Sequence, residues 1–336
     1  MYSTELIIVQ LEENVLMFKV DLAAESEGAT RHIDIAKCMS MVNRKLYRQQ
    51  GAWHVLGAKA FAQNKVGGAS PKVAVPFKIA IRGAPRSWVA RNALVKGFSF
   101  WKEQQKLAYD EISPSIKPQW QDFKVYLNDT HRLGTEITPV SGDMYNGSDP
   151  YIAGEWVHSR LVYTIEDLAN PGQIETHEPE LMIMGPDATN PEHAVSLIRQ
   201  YQISRARVLS PDPSIPGSLS DSIYSQSAAG GNVEQIIEIT ENLENSNDEP
   251  PYDVDNYPGG ASNATDLQNY ACGATLNGTL GVPTPTNPLS AVNQYVTLNG
   301  FTAVNGLLQL DITLDKAEAD VGEFWLQLVI GKREAY

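Results

Sequence analysis

The sequence predicts a mainly β protein, a single jelly-roll β-sandwich with long loops and one or two short helices. Short segments with strand patterning recur through the chain and are bounded by turn residues. Twenty Pro and 25 Gly imply many turns. Regular helices do not alternate with the strands, which argues against βαβ units. At 336 residues and 42% hydrophobic content the chain can bury a sizeable core, and sandwiches often exceed roughly 200 residues as one body.

Residues 14–22 read as a strand, followed by a short loop over 24–30. The basic segment 31–48 has no clear period. Residues 53–63 read as a strand, and Gly67-Gly68 as a turn. The segment 72–82, KVAVPFKIAIR, alternates strictly: Val73, Val75, Phe77, Ile79 and Ile81 face one way, and Lys72, Lys78 and Arg82 the other. Such alternation marks a half-buried strand, and Pro76 places it at an edge or a bulge. Residues 87–110 follow a helical period in part, with Trp88, Leu94, Val95, Phe98, Trp101 and Leu107 on one stripe and Gly97 as a weak point. Strands are expected at 122–127, 154–164, 180–184, 234–240, 293–299, 307–314 and 322–331, and a short helix over 192–202. The longest irregular run, near 241–288, is rich in Pro, Gly and Asn; a run of that length is usually functional or disordered.

Charge is unevenly spread. Over 31–107 there are fifteen Lys and Arg against Asp34 and Glu103, within a chain of net charge −14. Either the chain folds into a basic face and an acidic face with different partners, or acids and bases pair in the fold. Arg44, Lys45, Arg48, Lys72, Lys78, Arg82, Arg86 and Arg91 are the candidate nucleic-acid-binding residues, interleaved with Tyr47, Trp53 and Trp88. Cations bind phosphate without reading sequence and aromatics stack on unpaired bases, so the pattern fits non-specific binding of a single strand. The alternative is a solvated basic face over core aromatics.

The search for chemistry is negative. There is no phosphate-binding loop, dinucleotide fingerprint, zinc-protease helix or nucleophile elbow. Histidines 32, 54, 131, 158, 177 and 193 are scattered, with none paired at metal-ligand spacing. No catalytic residue, metal or cofactor is expected. Glu178 and Glu180 read as a solvated face rather than a general acid and base. The oxygen-rich run 245–255 lacks the ordered spacing of a calcium loop and reads as an Asx-rich turn. Cys38 and Cys272 are expected as free, packed thiols rather than a bridge. Residues 1–12 lack a basic leader region and no run of about 18 apolar residues occurs, so neither export nor membrane insertion is expected.

Several blocks resemble capsid proteins of circular, replication-initiator-encoding single-stranded DNA viruses. They are 43–49 (NRKLYRQ), 85–97 (PRSWVARNALVKG) with Trp101-Lys102, 120–126 (WQDFKVY), 154–156 (GEW), 204–208 (SRARV), 210–213 (SPDP) and 247–253 (NDEPPYD). The resemblance is one of texture and short blocks over most of the chain. It implies an N-terminal strand and arm over 1–30 and one jelly-roll shell domain over 31–336. It implies self-assembly into an icosahedral shell, non-specific contact with single-stranded DNA, a host surface receptor, assembly inside the host cell, and no enzymatic activity. One departure matters. Such coat proteins often begin with a basic arm, whereas here Lys19 is the only cation before residue 31. Interior charge must then come from the folded body. The rival readings are a β-sandwich binding module for carbohydrate or a cell surface, and an enzyme with dispersed carboxylates.

Overall fold

The structure is a computed structural model that describes residues 14–22, 28–64, 77–84, 86–112, 121–142, 149–166, 174–185, 187–188, 193–206, 278–279, 295–314 and 321–334. Its strands are β1 (Val15–Asp21), β2 (Gly28–Asp34), β3 (Ala52–Asn64), β4 (Phe77–Gly83), β5 (Tyr163–Glu166), β6 (Ile174–His177), β7 (Glu180–Met182), β8 (Ala194–Ser196), β9 (Gly278–Thr279), β10 (Val296–Leu298), β11 (Phe301–Val304), β12 (Leu307–Leu314) and β13 (Val321–Glu334). The helices are α1 (Ile35–Asn43), α2 (Trp88–Ile112), α3 (Asp129–Arg132) and α4 (Leu197–Ala206).

The described chain is mainly β, with antiparallel sheets and few helices. Sheet one has the order β1-β13-β3-β10, with β11 also on β3; sheet two has the order β2-β12-β4-β9. Alternation decides which side of each strand is buried. Leu16, Phe18 and Val20 of β1 and Phe324, Leu326, Leu328 and Ile330 of β13 turn inward from sheet one. Phe77, Ile79 and Ile81 of β4 and Leu308, Leu310 and Ile312 of β12 turn inward from sheet two. All of them share one apolar cluster. Phe77 meets Phe324 edge-on across it, with ring centres 5.4 Å apart. The arrangement is consistent with a β-sandwich.

β3 changes phase partway. Trp53 and Val55 face the core, then Ala58, Ala60 and Ala62 do. Val55 pairs with Ile330 and Gly57 with Val329, so Leu56 is an extra, bulged residue. The neighbouring strands leave room for it with glycine. A Cβ on Gly300 would lie 2.8 Å from the Leu56 carbonyl oxygen, and one on Gly331 would lie 2.9 Å from a Leu56 methyl carbon.

Between β4 and β9 the chain makes one long excursion, which carries α2 to α4 and β5 to β8. Its apolar residues form a second cluster: Leu94 and Trp101 of α2, Leu197 and Ile198 of α4, and Phe123, Val125 and Leu127 pack together with Leu307. Leu307 points to the face of β12 opposite Leu308, so this layer lies against the end of sheet two.

β1, β3, β4, β7, β10, β12 and β13 fall where strands are expected. β2 occupies the end of the expected loop over 24–30, and with β1 it brings the described part of residues 1–30 into the two sheets. The expected strand over 122–127 is extended chain with a bridge only at Tyr126, and 154–164 contributes a bridge at Arg160 and the start of β5. The expected helix over 192–202 begins at Leu197, because Val195 pairs with Leu181 in β8. α2 runs unbroken through Gly97, where a Cβ would meet a methyl carbon of Leu197 at 2.8 Å, so the glycine admits α4. On that helix Leu94 and Trp101 are buried, whereas Val95 and Leu107 are exposed. The Gly67-Gly68 turn, residues 72–76, the strand at 234–240 and the insertion near 241–288, apart from β9, lie outside the described residues.

Replacing Gly300 by Ala forces a side chain onto the Leu56 backbone. Gly300→Ala is expected to lower unfolding free energy by about 1–3 kcal/mol, read from the denaturant midpoint, while Gly134→Ala, with open space around it, should act only through its positive φ.

Candidate functional site

The basic loop is built by the end of α1. Asp34 caps that helix by accepting from the Lys37 N–H. At the other end Arg44 takes the left-handed conformation, with φ 50° and ψ 42°, and reverses the chain. Ser40 Oγ then accepts from the Tyr47 N–H at 2.9 Å. The loop is fastened by Gln49, which is fully buried. Its amide group accepts from the Val125 N–H at 2.7 Å and donates to Asp34 Oδ2 at 2.6 Å and to the Val125 carbonyl at 3.2 Å. Arg44, Lys45 and Arg48 are left exposed.

Arg333 of β13 donates to the Arg48 carbonyl at 3.0 Å. Arg86 reaches Glu334 at 3.4 Å. Arg44, Lys45, Arg48 and Arg86 therefore collect at one end of the two sheets, joined by Arg333. Sequence reasoning missed Arg333 because it lies 285 residues beyond Arg48, in the acidic part of the chain. Arg91 is exposed near the start of α2, five positions after Arg86.

The other candidates lie elsewhere. Lys78 and Arg82 stand on the outer face of sheet two, where Arg82 pairs with Asp311 at 3.1 Å. Lys59, over the Tyr295 ring, stands on the outer face of sheet one. Among the described cations, Lys78 and Arg82 thus lie on one face, Lys59 on the opposite face, and Arg44, Lys45, Arg48 and Arg86 at one end. Lys72 lies outside the described residues. Trp53 is buried under the loop with Tyr47 packed on it, ring centres 6.1 Å apart, so it belongs to the core and offers no stacking surface.

Beneath the loop lies a buried polar seam that sequence spacing hid. Asp34 is fully buried, and besides Gln49 it receives the Trp156 indole N–H at 3.1 Å. Burial, reinforced by nearby Glu136, pushes its carboxyl up to about 7, against the donors converging on it. Lys37 pairs with Glu136 at 2.7 Å. Lys124 lies over the Trp156 ring and is pushed down by burial. Beside these groups three histidines meet. His32 and His131 stack with ring centres 4.9 Å apart, and His131 and His158 meet edge-on at 6.2 Å. Tyr126 stacks on His158 at 3.6 Å. Burial pushes His32 down to about 4, His158 to about 3 and His131 well below its ordinary value. All three are therefore neutral near pH 7.

These groups have little catalytic reach, because Asp34, His32 and His131 are shielded from solvent. Among the described residues no group of three His, Cys, Asp or Glu side chains could hold a metal ion. Glu180 pairs with Arg160 at 3.5 Å. Cys38 is a buried free thiol, and Cys272 and the run 245–255 lie outside the described residues. No described helix is long and apolar enough to cross a membrane. Compared with known proteins, the chain matches no family model, no curated protein and no solved structure.

Two substitutions separate anchoring from charge. Gln49→Ala leaves both Val125 backbone groups and one Asp34 bond unmet, and is expected to cost about 3 kcal/mol in chemical denaturation. Arg44→Gly removes a charge but relieves a left-handed backbone, and is expected to raise stability by about 1 kcal/mol on the same measurement.

Proposed function

We propose that the chain is a capsid subunit with a jelly-roll fold, which self-assembles into an icosahedral shell around single-stranded DNA. The observation that carries the reading is the strand order. β10 and β11 run along β3 in one register and count as a single strand. The eight principal strands then divide so that first, last, third and sixth form one sheet, and second, seventh, fourth and fifth the other. Two interlocked Greek keys produce that order, and eight strands in this double-sheet form support a jelly roll.

A jelly roll also serves lectins and other binding proteins, so the fold alone does not choose a function. The arginine-rich end supports nucleic acid as partner. Arg44, Lys45, Arg48 and Arg333 come from two distant parts of the chain and are brought to one place. Arginine suits phosphate through its planar, forked donors. Readout of bases is not required, since phosphate contacts alone give non-specific affinity. The subunit supplies this charge from its folded body, in keeping with the sparse cations before residue 31.

The purified chain is expected to form very large particles that protect DNA from nuclease, seen by negative-stain microscopy and nucleic-acid recovery. Only monomers or small oligomers at assembly-competent concentration would instead favour a sandwich binding module. Changing Arg44, Lys45 and Arg48 together to Glu is expected to lower packaged DNA. It should also flatten the salt dependence of single-strand binding by about 2 in log–log slope, at roughly 0.7 per cation. An unchanged slope would remove these residues from the interface.

A further inference from the structure

We propose that His32, His131 and His158, with Tyr126 stacked among them, form an acid-released latch that fastens segments 121–142 and 149–160 to the outer face of sheet two. The inference does not depend on shell assembly. His32 belongs to β2, His131 to α3 and His158 to the second segment, so their contacts tie three separate parts of the chain.

The hydrogen bonds fix what a proton would do. His131 Nδ1 accepts from the Leu127 N–H at 3.1 Å. The neutral ring therefore carries its proton on Nε2, which has no partner among the described residues. A second proton must go to Nδ1 and displace Leu127, a fully buried residue of the second apolar cluster. His32 Nδ1 lies 2.6 Å from Thr135 Oγ1, which itself donates to the Thr130 carbonyl. That leaves His32 Nδ1 as the donor and Nε2 as the site for an added proton. The backbone repeats the attachment: the His32 N–H donates to the Thr135 carbonyl and the Ile137 N–H to the His32 carbonyl, both at 2.9 Å. Once charged, His32 and His131 would be stacked cations.

Charged groups face the cluster from every element around it. Lys37 of α1 opposes protonation of His131 and His158, and Lys124 also opposes it at His158. Asp311 of β12 favours a charged His32, as do the side chains of Gln309 and Asn128. Asp34 of β2 and Glu136 lie beside Lys37, and Glu180, Arg132 and Arg160 lie around Tyr126. All three histidines have folded pKa values below the ordinary 6.5. Their contribution to closure is therefore full above that value. It is lost as pH falls, down to about 4 for His32 and about 3 for His158. Asp34 acts in the opposite sense, taking up its proton in the closed form as pH falls through about 7. One carboxyl offsets only part of three imidazoles.

Hydrogen exchange on the full chain at about pH 7.5 and about pH 5, corrected for intrinsic rates, tests the latch. Protection of 121–142 and 149–160 is expected to fall at least about tenfold more than that of β12 and β13. The double variant His131→Gln, His158→Phe keeps an acceptor for Leu127 and a ring against Tyr126, leaves His32 as the one titrating ring of the three, and should shrink the difference to less than half its wild-type size on a logarithmic scale. If that variant does not fold, His158→Phe alone should reduce it. Equal loss of protection throughout the chain, no change between the two pH values, or a wild-type response in the folded variants would overturn the proposal.

Discussion

Both sheets depend on the last two strands. β12 lies between β2 and β4, and β13 between β1 and β3. Without them the four N-terminal strands have no partners among themselves, since none of β1 to β4 pairs with another of that set. Val15 meets Val329 and Asp34 meets Leu307, so the pairings that close the sandwich join opposite ends of the chain. Closing such loops costs entropy before any contact repays it. The return comes from the cluster shared by both sheets, which forms only when β12 and β13 face each other across it. The bulge at Leu56 fits the same constraint. It keeps Trp53 and Val55 in the core beyond the point where β3 has gained a residue, and Gly300 and Gly331 give way to it.

Strands with one face on this core were legible because burial imposes a period of two. In β4 the apolar side chains alternate with Lys78 and Arg82, and the structure follows the pattern. That period is lost where a second layer covers the outer face. β2 carries His32 and Asp34 on that side, and both are buried, so the segment from residue 31 showed no clear period. Segment 122–127 failed in the opposite sense. Phe123, Val125 and Leu127 alternate because they enter the second apolar cluster, not because the segment sits in a sheet. Its N–H groups are met mostly by side chains: Ser159 Oγ accepts from Lys124, Gln49 from Val125 and His131 from Leu127. An extended chain bonded in this way carries a strand's pattern without a ladder. Likewise, no spacing rule could bring residues 32, 131 and 158 together, since only the covering layer does so.

Charge was the least transferable signal. The basic stretch met the acids of the remaining chain pair by pair: Lys37 with Glu136, Arg82 with Asp311, Arg86 with Glu334, and Arg48 at 3.9 Å from Asp122. For these four cations, an asymmetry along the sequence became neutralisation in space. Of these pairs, Arg86–Glu334 is exposed on both sides, and a pair of that kind contributes little stability. Their effect on function is larger, because each engaged cation has less charge to offer a phosphate. The loop after α1 keeps Arg44 and Lys45 outward at the cost of a strained backbone at Arg44.

That loop and the histidine cluster are not independent. Gln49 binds Val125 on both sides of its peptide and Asp34 with the same amide. Val125 lies one residue from Tyr126 and two from Leu127, whose N–H rests on His131. Displacing Leu127 therefore strains the stretch of chain that holds Gln49, and Gln49 immediately follows Arg48. Asp34 and Val125 hold Gln49 in one buried network, so the proposed opening of the covering layer would loosen the anchor as well. The position of the exposed arginines would in this way follow whether the covering layer is seated on sheet two.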